Sequence, residues 1–302
     1  MELSLNASIN QKYETSGQIT RETRKSVESR DWRGRPYLEI CEFAEKEIKR
    51  RGGEPAFPVN VCANESAAHY TAEIDDKKIV DQNAILKVDL GAHFDGYVTD
   101  TSVTLCYNDS LFDMTEATKA ALNEAIKAVR LGEKPGDVGR IVENYASRRG
   151  YLPIENLSGH SLEQYVVHAG VSIPNVWSVS NSSFKLDRVY AVEPFFTTRE
   201  GSGIVVEGKS RNIFGLVTRK RTKDAKLDGF LDLVWKTRRT LPFAARWFTE
   251  YYSKHDINDM ITKLMKMRLV HAYPELIESE GTPIAQAEHT IRVSAAGPIV
   301  LT

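Results

Sequence analysis

Ile85-Leu86-Lys87-Val88-Asp89-Leu90-Gly91-Ala92-His93-Phe94-Asp95-Gly96-Tyr97-Val98-Thr99-Asp100-Thr101-Ser102-Val103-Thr104-Leu105 is the stretch on which the architecture turns. Two apolar, β-branched runs flank Asp95-Gly96, a dipeptide that reverses antiparallel strands. With His93 to Gly96 as the turn, Ala92 faces Tyr97 and Asp89 faces Asp100 across the hairpin. Side chains paired in this way have Cβ atoms about 4.5–5.5 Å apart. Two carboxylates there repel, and an apolar setting screens the repulsion poorly. A bridging cation relieves it. Protonation of one Asp also relieves it, and a slipped register separates the pair.

Three more residues share this unease. Glu193 lies in Val189-Tyr190-Ala191-Val192-Glu193-Pro194-Phe195-Phe196, an aliphatic-aromatic run. His160 follows Gly159, which lets another backbone come close. A single His is more often a satisfied hydrogen-bonding residue than a ligand. Glu288 opens an alternating strand in which Glu288, Thr290 and Arg292 share a face. A buried carboxylate costs several kcal/mol unless its charge is offset. Four acids and one imidazole converging on one place point to metal, and two divalent ions would balance four negative charges.

Around these residues the pattern alternates between helix and strand. Residues 5–51 read as two helices. In the second, Leu38, Cys41, Ala44, Glu45 and Ile48 recur at helical spacing, and Gly52-Gly53 ends it. Short strands follow from Pro55 to Leu105. Thr115 to Val129 reads as a helix with Thr115 as N-cap, and Pro135-Gly136-Asp137 opens another that runs to Arg149 and stops at Gly150. Strands and loops fill Leu157 to Val217. Residues 219–283 read as largely helical, and 284–302 return to strand. The expected organisation is therefore a first catalytic part (1–218), a helical insertion (219–283) and C-terminal strands (284–302).

The chain has 302 residues, 41 % hydrophobic and 27 % charged, with net charge −1, which fits a globular protein and gives no overall pull toward nucleic acid. The segment 219–283 carries thirteen Lys/Arg against nine Asp/Glu. Such a basic face usually means a solvated surface; contact with RNA or the ribosome is the sharper alternative. Cys41, Cys62 and Cys106 form neither a disulfide framework nor a metal knuckle and are expected as small buried thiols. The polar N-terminus lacks a signal-peptide apolar stretch, and no segment is apolar enough to span a membrane. The expected compartment is a reducing cytoplasm.

The string Lys87 to Asp100 resembles the metal-binding hairpin of methionine aminopeptidases. Ala67-Ala68-His69-Tyr70, Gly159 to Gly170, Ala191-Val192-Glu193-Pro194-Phe195 and Glu288-His289-Thr290-Ile291 are similar to further motifs of that family, in family order. The long interval from Glu193 to Glu288 looks like the type 2 enzymes, which carry a helical insertion there. Thr240 to Trp247 and Leu269 to Leu276 look like type 2 insertion motifs, and the short N-terminus looks archaeal. The ligand order also resembles the creatinase and proline-peptidase group, so fold alone does not settle specificity.

The resemblance implies an α/β pita-bread fold: a curved antiparallel sheet flanked by helices, two pseudo-related halves and a metal site in the central cleft. It implies that Asp89 chelates one metal ion through both oxygens, that Asp100 and Glu288 bridge two, and that His160 and Glu193 complete the second ion's coordination. Oxygen and imidazole donors suit Co, Mn, Fe or Zn without choosing among them. A hydroxide activated between the two ions would attack the peptide bond, with Glu193 carrying a proton to the leaving amine. The substrate's α-amino group would bind the Asp89 metal. His69 and His168 would contact the substrate at the scissile bond, and Phe57 and Tyr273 would line the methionine pocket. The far wall of that pocket is not readable from Lys209 to Phe214. The implied activity is removal of the initiator methionine from nascent polypeptides by a cytoplasmic monomer. The alternatives are an Xaa-Pro aminopeptidase of the same fold, and a non-catalytic relative that binds ribosome or RNA.

Overall fold

The computed structural model describes residues 2–302. Its centre is an antiparallel nine-stranded sheet. The strands that carry the site are β1 (Asn60–Ala63), β2 (Ile85–Phe94), β3 (Tyr97–Cys106), β4 (Ser158–Leu162), β5 (Val189–Val192) and β6 (Glu288–Ser294). In space they run β1-β2-β3-β6-β5-β4, so β6, late in the sequence, is inserted at the middle.

Alternation along the strands separates a helix-facing side from a cleft-facing side. Val88, Leu90 and Val103 pack with Ile40, Cys41 and Ala44 of α2 (Tyr37–Arg50). Thr99 is hydrogen-bonded by Ser16 and Thr20 of α1 (Glu2–Glu28), each at 2.8 Å. In the other half, Ile291 and Val293 of β6 pack with Ala117, Ala121 and Ala125 of α3 (Phe112–Ala128) and with Val138 and Val142 of α4 (Pro135–Arg149). Residues one step away along the strands, Asp89, Asp100 and Ser102, are thereby turned toward the opposite face.

The hairpin register corrects the expected pairing. Phe94 pairs with Tyr97, so the loop is Asp95-Gly96 alone, with φ of 52° and 84°. A two-residue turn with both φ positive matches the twist of the flanking strands. Asp89 consequently sits opposite Ser102, and Asp100 opposite Gly91. The shift is by an even number of residues, so both carboxyls stay on one face, as diagonal rather than direct neighbours.

Two helical expectations also change. Thr115 is not an N-cap: α3 begins at Phe112, and the Thr115 hydroxyl donates to the Leu111 carbonyl inside the first turn. The capping side chain is Asn108, which opens a short 3-10 turn before α3. In 219–283 the helices are α5 (Ala225–Arg238) and α6 (Lys254–Lys266), which pack around Phe230, Val234, Ile257, Met260 and Leu264. Helix ends there. Val270–Tyr273 pairs with Ile213–Leu216, and Leu276–Glu278 pairs with Val205–Glu207 and Ser66–Ala68. These alternating segments find strand edges waiting for them, which a local helical pattern does not reveal.

The segment is latched to α2. Glu45 accepts hydrogen bonds from Arg246, from the Trp247 indole at 2.8 Å and from the Val59 backbone N–H at 3.2 Å. Arg238 donates to the Pro55 carbonyl and lies over the Trp247 ring. Cys41 and Cys62 are buried and Cys106 half-buried, all as free thiols.

Candidate metal centre

Five adjacent strands bring the five candidate ligands to one face, with Glu193 just past the end of β5. Asp89, Ser102 and Glu288 form a row across β2, β3 and β6. Extending the β6–β5 register by one residue beyond His289 and Val192 sets Glu288 against Glu193. His160 pairs with Ala191, two residues along from Glu193. Gly159 permits that pairing: a Cβ there would lie 2.3 Å from the Ala191 carbonyl oxygen. Donor atoms of Asp100, His160 and Glu288 all lie within 4.8 Å of one another. His160 Nε2 is 3.4 Å from Glu193 Oε1 and 3.8 Å from Asp100 Oδ2.

The cluster is electrically unbalanced. Among the described residues, no lysine or arginine bridges any of the four carboxyls; only His160 faces them. Burial, then repulsion from Asp89 and Glu193, holds the Asp100 carboxyl well above its usual range. Burial, then Asp89, does the same to Glu193, and burial, then Asp100 and Glu193, to Glu288. Asp89 is pushed by burial up to about 7, against hydrogen bonds from Asp100 and Gln286. Burial, with His168 next in size, keeps His160 well below the ordinary histidine value, so it offers a lone pair rather than a charge.

Divalent metal fits this arrangement. Asp89 Oδ1, Asp100 Oδ1 and Glu288 Oε2 are buried with no hydrogen-bond partner, a state that proteins rarely tolerate. The donors are oxygens and one imidazole, a set for hard or borderline divalent cations. Gln286 escaped the sequence reading. Its Nε2 donates to Glu193 Oε2 at 3.4 Å while its Oε1 accepts from Ser102 at 2.9 Å. Its one sequence hint was its place two residues before Glu288, although it ends a separate strand, Ile284–Gln286.

The cluster lies on a cavity of about 210 Å³. Asp89, Asp100, His160 and Glu193 line it, as do Phe57, His69, His168 and Tyr273. His69 packs edge-on to Tyr273, with ring centroids 5.8 Å apart, and burial lowers its pKa to about 4. His168 stands at the exposed mouth, its ring centroid 4.2 Å from that of His160. Gly91 makes room for Phe57: a Cβ there would lie 2.4 Å from the Phe57 ring. Ile213 and Pro242 also line the cavity. Ile213 is in the stretch that left the far wall open, and Pro242 comes from the segment after α5.

Residues 11–213 match the model of metallopeptidase family M24. A methionine aminopeptidase of Methanocaldococcus jannaschii is 35 % identical over 95 % of this chain and 96 % of its own. Among solved structures, a thermophilic Arx1 superposes with TM-score 0.85 at 15 % identity, covering 97 % of this chain and 90 % of its own. A methionine aminopeptidase of Thermotoga maritima superposes with TM-score 0.71 at 18 % identity, covering 98 % and 96 %. At such identities the structural likenesses speak for the fold alone, the α/β pita-bread architecture. Among the described residues no helix is long and apolar enough to cross a membrane.

Proposed function

Because the chain belongs to metallopeptidase family M24, among its archaeal-type methionine aminopeptidases, we propose that it hydrolyses the first peptide bond of polypeptides that begin with methionine. The observation that carries this reading is the unbalanced cluster of four carboxyls and His160, of which Asp89, Asp100, His160 and Glu193 line a cavity shared with Phe57 and Tyr273. We assign Asp89, Asp100, His160, Glu193 and Glu288 as ligands of two divalent ions, drawn from Co, Mn, Fe and Zn. When bound, the ions supply charge balance and Lewis acidity for hydrolysis near neutral pH.

The chain's own residues do the rest. Glu193 touches both the metal site and the Gln286 amide, so it is the carboxylate best held to pass a proton to the leaving amine. His69 is neutral at working pH and can donate or accept a hydrogen bond at the scissile amide without a charge to neutralise. His168, at the mouth with its ring centroid 4.2 Å from that of His160, is the second histidine assigned to the scissile bond. Phe57, Tyr273, Ile213 and Pro242 offer an apolar slot for an unbranched, polarizable side chain. The segment 219–283 acts as an insertion that supplies part of this wall. In the cell, the substrates would be nascent chains in the cytoplasm, met as a monomer, with ribosome docking as a further expectation.

The test is hydrolysis of Met-Ala-Ser and Xaa-Pro peptides by purified protein titrated with Mn²⁺, Co²⁺ or Fe²⁺. Metal-dependent release of methionine is expected. Faster turnover of the Xaa-Pro series would replace the reading with a proline-directed aminopeptidase. Absence of hydrolysis with every metal would leave a binding protein.

A further inference from the structure

We infer that Asn60 is a positioning residue that holds His69 at the cavity. This rests on the assignment of His69 to the scissile bond. Asn60 is buried on β1 directly opposite Asp89, and it lines the same cavity as His69. Its Oδ1 accepts the His69 backbone N–H at 2.7 Å, and its Nδ2 donates to the Pro58 carbonyl at 2.9 Å. Both ends of the amide are committed, so a flipped amide would set donor against donor and acceptor against acceptor.

His69 needs such a hold. It follows the strand Ser66–Ala68 with φ of +64°, the left-handed region, which a residue with a Cβ adopts only at a cost. Its N–H goes to the Asn60 side chain rather than to a strand neighbour. The next residue is anchored separately, because the Val61 N–H donates to the Tyr70 carbonyl at 2.8 Å. Loss of the Asn60 amide therefore frees the kink at His69 while the chain on either side stays docked. The imidazole then swings relative to Tyr273 and to the substrate, and the ligand cluster is left in place.

The experiment is a double-mutant cycle on the metal-loaded enzyme with Met-Ala-Ser. Asn60→Ala is expected to lower kcat about 10- to 100-fold, the range that a misplaced group costs, with KM and calorimetric metal affinity within about two-fold of wild type. In the His69→Ala background, Asn60→Ala is expected to add nothing. Multiplicative effects would mean that Asn60 acts independently of His69 and would overturn the inference. Loss of metal affinity on Asn60→Ala would do the same. Hydrogen exchange at the His69 amide gives a readout that needs no turnover: Asn60→Ala should speed it at least about ten-fold, and an unchanged rate would overturn the inference. If the wild type releases no methionine, the functional reading falls instead, while the exchange rate still reports whether Asn60 holds His69.

Discussion

Two buried charge clusters in this molecule have nearly the same exposure and opposite character. In the latch, the Arg246 and Glu45 side chains are 6 % and 8 % exposed. In the cleft, His160, Asp100 and Glu193 are 8 %, 5 % and 11 % exposed. The latch is a matched pair whose carboxylate is further satisfied by Trp247 and Val59. The cleft has four carboxyls, no guanidinium or ammonium among the described residues, and carboxyl oxygens left without partners. Burial alone therefore does not identify a functional site. A buried cluster whose charges are matched within it is architecture, and one left with unmatched charge needs something from outside.

The most severe way to probe the contrast is Asp100→Asn. Removing one of the carboxyls assigned to both ions should abolish peptide hydrolysis, at least about 10³-fold, yet leave metal-free stability unchanged or improved, because a repulsive charge is gone. A marked fall in the melting temperature of the metal-free variant would contradict this account of the cleft. The latch should respond in reverse. Arg246→Ala strands the buried Glu45 charge and should cost about 3–5 kcal/mol of unfolding free energy, read by denaturant titration, and the defect should persist at saturating metal. Stability within about 0.5 kcal/mol of wild type would mean that the latch contributes nothing net.

A smaller effect follows from proton linkage. The cleft carboxyls have folded pKa values above their unfolded values, so the folded protein holds protons that the unfolded chain releases, and stability falls as pH rises through the folded values. His69, His93 and His289, lowered to about 4, act in the opposite sense, but only below the ordinary histidine value of 6.5. Between about pH 6.5 and 8 the carboxyls dominate, opposed among the described residues by Lys87, which burial lowers to about 7. The melting temperature of metal-free protein should decline across that window, and saturating divalent metal should flatten the decline. A metal-free profile that is flat or rising would remove the electrostatic argument.

Much of the site was legible because its chemistry is local. Asp89, Asp100 and Glu193 stand out because a carboxylate in an apolar strand conflicts with its neighbours, whatever the partner. Pro135 and Gly150 mark α4 because first-turn and left-handed positions select those residues. Gln286 and Asn60 gave no such signal: neutral amides are common, and their work depends on what faces them. The Glu45–Arg246 pair joins residues 201 positions apart, which no periodicity encodes.

Residue type and spacing by themselves determined that this chain carries an acidic site needing cations, that the site is built on strands, and which family it resembles. Tertiary structure decided the hairpin register, because a two-residue turn with both φ positive closes more tightly than local pattern can specify. It decided where the helical segment gives way to strand, because an edge must be present before a short alternating run will pair. And it decided that five residues from five strands meet on one face, since convergence is a property of the assembled sheet and not of any segment within it.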